Sequence, residues 1–209
     1  MALTTYALLK TTIANYLNRT DLTSYLGDFI TLTESRMNRE WRVREMVNTD
    51  TTTTTVAGTQ SYSLPSGFLE ASAVIYQSNP YRTLRFMANG DFYRQYNVTQ
   101  TSGLPTFFTI VGENILLGVA PDSAQTLQID FYKTITALSE SNTTNTILTN
   151  YPELYLYGAL AESSPFLMQD ERLDTWARLY KEALKNANLS SEKGSITSSP
   201  MQMSATGII

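Results

Sequence analysis

The densest apolar pattern in the chain runs from Asn150 to Leu189, NYPELYLYGALAESSPFLMQDERLDTWARLYKEALKNANL. It predicts two helices joined at the SSPFLMQD stretch. In the second helix Leu173, Trp176, Ala177, Tyr180, Ala183, Leu184 and Ala187 recur every three or four residues and share one face. Asp170, Glu171, Arg172, Arg178, Lys181, Glu182 and Lys185 are its polar flanks, with acids at the start and lysines toward the end, as the helix dipole favours. The first helix opens on Asn150-x-x-Glu153 with Pro152 in its first turn, both start signals. Leu154, Tyr155, Leu156, Tyr157, Leu160 and Ala161 leave little of it polar, which predicts burial on most sides. Gly158, Ala159 and Ala161 allow another helix to come close, and Pro165 ends the helix.

Residues 4–18 carry the same period, with Tyr6, Leu9, Ile13, Tyr16 and Leu17 on one face. Asn18-Arg19-Thr20-Asp21 reads as a stop and restart. A short turn over Leu22–Leu26 leads to a second long helix, predicted from Asp28 to Glu45, in which Ile30, Thr33, Met37 and Trp41 share a face. The same helix holds Arg36, Arg39, Arg42 and Arg44. This basic cluster is open to two readings: a solvated face with local salt bridges, or an arginine-lined surface facing DNA or an acidic partner. The nearby Glu34, Glu40 and Glu45 weigh toward the first.

The period changes at Asn48. Thr51–Thr55, Ser61–Leu64, Leu69–Tyr76, Tyr81–Phe86, Thr106–Val111, Ile115–Val119 and Thr126–Thr134 are the strand candidates, punctuated by Gly58, Pro65-Ser66-Gly67, Asn79-Pro80 and Gly112-Glu113-Asn114. Ala88–Tyr96 predicts a short helix capped by Asn89. Residues 136–149 are polar and turn-rich. The expected fold is therefore α+β. Both chain ends, 1–47 and 136–192, build a four-helix bundle, and an antiparallel β-sandwich or barrel, 48–135, is inserted between them. Residues 193–209 have no period that would bury them and predict an extended tail, with Met201, Met203, Ile208 and Ile209 as adaptable apolar anchors on another chain.

Composition narrows the chemistry. Among 209 residues there is no cysteine and no histidine, which removes thiolate sites, the commonest general base and the commonest transition-metal ligand. A net charge of −4 and a charged fraction of 16% leave no general electrostatic case for nucleic-acid binding. No Gly-rich phosphate loop or Gly-x-Ser-x-Gly elbow occurs. Asp122, Asp130, Tyr132 and Lys133 read as turn and sheet residues, so no enzyme, cofactor or metal site is expected. No apolar run predicts a membrane span, and the N-terminus lacks the pattern of a secretory signal.

YPELYLYGAL with its Pro-Phe-Leu break and Trp176-x-x-x-Tyr180 resembles the C-terminal part of the head-to-tail adaptor proteins of tailed bacteriophages, of the kind beneath the portal in short-tailed phages. Tyr16-Leu17-Asn18-Arg19-Thr20-Asp21-Leu22, Glu34-Ser35-Arg36-Met37-Asn38-Arg39, Leu64-Pro65-Ser66-Gly67-Phe68-Leu69-Glu70 and Gly103-x-Pro105 are similar to that family in the same order. Gly67 stands where the family would have an acidic residue. The resemblance implies a structural virion protein that forms a dodecameric ring under the portal, joins capsid to tail and continues the DNA channel. Implied partners are the portal protein, a downstream tail or nozzle protein, further copies of the chain, and genomic DNA passing without sequence-specific binding. The implied location is the virion neck, assembled in the host cytoplasm. Ile196, Pro200, Met201, Met203, Ile208 and Ile209 would then bind the portal, and Arg36, Arg39 and Arg42 would face the channel or an acidic partner. The alternative is a tail or baseplate component whose β module, through Tyr81, Tyr93 and Tyr96, binds another tail protein or a host receptor.

Overall fold

The computed structural model describes residues 3–96, 102–167 and 172–196. The fold is mixed α+β, and the chain divides into two compact units, Met1–Glu45 with Ile135–Ile209, and Met46–Thr134.

In the helical unit, α1 is Tyr6–Leu17, α2 Leu26–Glu40, α4 Thr146–Asn150, α5 Pro152–Glu162 and α6 Leu173–Ile196. The Thr5 hydroxyl caps α1 by accepting from the Leu8 amide, and Asn18 ends it in the left-handed conformation at φ 52°. Arg19 then donates to the Asp21 carboxylate at 2.9 Å and to the Phe166 carbonyl at 3.1 Å. The Asn-Arg-x-Asp joint thereby ties α1 to the break after α5. Helix α5 is central, with α1, α2 and α6 all packed on it. At Gly158 a β-carbon would stand 2.3 Å from Thr33 Cγ2 and 3.2 Å from the Tyr180 ring, so α2 and α6 both press on the bare backbone there. The face expected on α6 is the one that packs: Trp176, Tyr180, Ala183 and Ala187 are buried, and Ser191 continues the row.

Three local expectations differ. Helix α2 stops at Glu40 rather than Glu45. Trp41 turns extended (φ −127°, ψ 138°), and Trp41 and Val43 alternate into the core with Arg42 between them. The Trp41 indole N–H donates to Asn188 Oδ1 at 2.8 Å, and Arg42 Nη1 donates back to the Asn38 and Trp41 carbonyls, satisfying acceptors at the helix end. Asn150 is not a cap. The cap is Asn145, whose side chain accepts from the Leu148 amide and starts α4 within the expected irregular stretch; α5 then begins on Pro152. Finally, α6 continues to Ile196, into the segment expected to be extended, because adding a residue to an existing helix is far easier than nucleating one.

In the β unit, β1 is Val47–Asp50, β2 Ser61–Ser63, β3 Phe68–Tyr76, β4 Arg82–Thr83, β5 Arg85–Phe86, β6 Phe107–Val111, β7 Asn114–Leu117 and β8 Leu127–Lys133, with α3 at Asn89–Gln95. One sheet has the order β1-β8-β3-β4 and the other β2-β7-β6-β5. Pairing is antiparallel except for β5 against β6. Both sheets feed one apolar core: Val74, Tyr76, Leu127, Ile129 and Phe131 from the first, Phe108, Ile115 and Leu117 from the second, and Leu84. Alternate residues of β8 point inward, as period-2 patterning requires.

The threonine run is not a strand. The Asp50 carboxylate accepts from the Thr52 amide and from the Thr52 and Thr53 hydroxyls, and this side-chain turn ends β1 before the run begins. Tyr81–Phe86 is not one strand either. It crosses from β4 in one sheet to β5 in the other, with Leu84 buried at the crossing. Asn89 lies inside α3, whose cap position is Ala88, and its side chain instead accepts from the Thr109 hydroxyl. Gly67 adopts φ +73° in the turn closed by Phe68 N–H to Pro65 carbonyl, and a β-carbon there would lie 2.7 Å from Thr134 Oγ1.

Candidate functional site

No group of three or more His, Cys, Asp or Glu side chains stands ready for a metal among the described residues. The carboxylates considered for chemistry are occupied locally. Asp130 accepts from the Thr49 hydroxyl and the Gln128 amide, and Asp122 accepts from Ser123. No described helix is long and apolar enough to cross a membrane.

The arginine cluster is split by the fold. Arg36 is held inside the helical unit. It donates to Glu40 and Glu162 at 3.2 Å each, and its guanidinium lies 4.7 Å from the centre of the Tyr180 ring. Burial pushes the Tyr180 hydroxyl up to about 12. Arg42 is committed to carbonyls at the end of α2. Arg44 bridges to Glu45, and its backbone N–H donates to the Ser191 hydroxyl. Arg39 is exposed and has no ion-pair partner among the described residues. Of the three arginines singled out, it alone presents its charge outward.

One polar centre went unpredicted. Glu34 is 4% exposed and accepts from the Leu138 amide at 2.8 Å and the Tyr155 hydroxyl at 3.0 Å. The Asn145 amide donates to the same hydroxyl at 2.7 Å and to the Thr136 carbonyl at 2.8 Å. Burial raises the Glu34 carboxyl above its ordinary range and raises the Tyr155 hydroxyl likewise. The network ties residues 136–148 to α2 and α5 and so positions this part of the chain. A signal was present in the spacing: Glu34 lies four residues after Ile30 and three before Met37, on the apolar face.

The exposed aromatics of the β unit divide. Tyr81 and Tyr93 are 71% and 55% exposed. Tyr96 is half-buried, 5.3 Å from the Phe92 ring and 6.2 Å from the Phe107 ring, and fills the space above Gly118. Ile196 is the last residue of α6. Pro200, Met201, Met203, Ile208 and Ile209 lie outside the described residues.

A family model described as SU10 adaptor protein matches residues 4–204. No curated protein matches the chain. The chain belongs to the SU10 adaptor protein family, which makes it a bacteriophage head–tail connector, a structural component of the virion neck. The resemblance seen in the sequence leads to the same family.

Proposed function

We propose that the chain assembles as a ring beneath the portal, joins the capsid to the tail and continues the DNA channel. The observation that carries this reading is the family match across nearly the whole chain. In this reading the helices from both chain ends act as a four-helix bundle that packs against neighbouring copies and the portal. The β unit serves as an inserted sandwich directed toward the tail or nozzle protein. Residues 197–209 bind the portal through Pro200, Met201, Met203, Ile208 and Ile209, with Ile196 at the root of that segment. Twelve copies match a portal of that symmetry. The low charge and abundant hydroxyls support passage of DNA without a grip on it. Arg39 is the residue of the cluster that fits a lumen-facing role. Assembly takes place in the host cytoplasm and needs no cofactor or catalytic step.

Native mass spectrometry of the chain alone and mixed with its portal ring tests the proposal. A portal-dependent jump to a ring with portal stoichiometry is expected. A chain that stays monomeric beside the portal and is absent from virions would overturn it.

A further inference from the structure

The β unit carries most of its positive charge in one stretch of chain. Of its cations Arg82, Arg85, Arg94 and Lys133, three fall between β4 and the end of α3. Arg94 pairs with Asp91 at 3.4 Å, whereas Arg82 and Arg85 have no ion-pair partner among the described residues. These two arginines flank an open groove of about 420 Å³ lined by Arg82, Thr83, Arg85, Pro105, Thr106 and Phe107. Beside it stand Tyr81, 71% exposed, and Phe86, 62% exposed. Arginine with exposed aromatic rings is the composition of an interface anchor. Strands β4 and β5 are also the terminal strands of their sheets, so polar backbone lies at the same edge.

The complement lies at the other end of the unit. Glu113 is exposed at the tip of the β6–β7 hairpin, and its carboxylate has no partner among the described residues. Asp50, Asp91, Asp122 and Asp130 are each engaged by neighbouring side chains. Arg85 pairs with Phe107 at the start of β6, and the hairpin turns after Val111 at its end. That length of strand is roughly 13 Å. The basic groove and the acidic tip therefore cannot meet within one chain, and they suit a head-to-tail contact between copies, the kind that closes into a ring. We infer that the Glu113 hairpin tip of one copy seats in the Arg82/Arg85 groove of the next. The inference rests on the ring reading above. Two unpaired arginines on a chain of net charge −4 are a poor footprint for phosphates, which favours a protein occupant over DNA.

The chain has no cysteine, so Thr106→Cys with Asn114→Cys introduces a single reporter pair and leaves the charges in place. Thr106 immediately precedes β6, and Asn114 of β7 pairs with Val111 at the far end of β6, so the two positions are roughly 16 Å apart along the strand direction, far beyond the reach of a disulfide within one chain. Portal-bound rings of the double variant should give a ladder of covalent multimers on oxidation, and neither single variant should. Arg82→Glu with Arg85→Glu should lower ring occupancy about tenfold, and adding Glu113→Lys should restore it. Rings that assemble without a ladder and tolerate the arginine reversals overturn this contact alone. So does a reversal that weakens only DNA retention. Absence of any ring from the wild-type chain overturns the ring reading and this contact with it.

Discussion

Glu34 offers the sharpest test of how the helical unit is held together. Glu34→Ala removes the acceptor of two buried donors, the Leu138 N–H and the Tyr155 O–H. Each unmade buried bond costs about 1–3 kcal/mol, so the variant should lose about 2–6 kcal/mol. Glu34→Gln keeps a carbonyl oxygen for both donors and should stay within about 1 kcal/mol of wild type at low pH. The pH dependence separates charge from hydrogen bonding. Burial raises the Glu34 carboxyl in the fold above its ordinary value of 4.5, so the folded chain holds the proton more tightly than the unfolded one. The contribution of this group is complete below the ordinary value and is lost as pH rises through the raised one. Glutamine does not titrate, so Glu34→Gln should gain on wild type across that window and then hold its advantage. Both tryptophans of the chain, Trp41 and Trp176, are buried in the helical unit. Urea unfolding followed by tryptophan fluorescence at a series of pH values therefore reports on this unit. Wild-type and Glu34→Gln curves that stay parallel from acid to neutral pH would refute the burial argument. An alanine variant as stable as glutamine would refute the hydrogen-bond argument.

Three further outcomes are expected. Gly158→Ala places a methyl 2.3 Å from Thr33 Cγ2 and should cost about 1–3 kcal/mol; combining it with Thr33→Ser, which deletes that carbon, should recover much of the loss in the same urea assay. Asn145→Ala removes a helix cap and the donors to Tyr155 and Thr136, and should lower stability by about 1–3 kcal/mol, with an unchanged midpoint counting against the network. Deleting residues 197–209 should leave the tryptophan-detected midpoint unchanged and reduce portal affinity measured by co-sedimentation; equal affinity would remove the portal-binding role proposed for this segment.

The sequence by itself determined the kind and order of the elements: helices at both ends, strands between, Gly67 and Gly112 at turns, Gly158 as a point of close approach. These follow from period and propensity, which are local properties of the chain. It also carried the family, through short motifs whose order survives, and the Asn-Arg-x-Asp joint proves to be a cap followed by a clamp on Phe166. The tertiary structure decided what depends on partners far along the chain. Trp41 leaves the helical path for a bond to Asn188, and the strand-like run at Tyr81–Phe86 is divided because two different sheets claim its halves. Glu34, read beside its arginine neighbours as a surface acid, is buried because Leu138 and Tyr155 satisfy it there. The arginine cluster separates for the same reason: Glu162 and Tyr180 hold Arg36, the end of α2 takes Arg42, and Arg39 is left outward. Local pattern specifies which residues prefer to be buried, but a polar group goes inside only where distant residues supply its hydrogen bonds, and that match exists only in the folded chain.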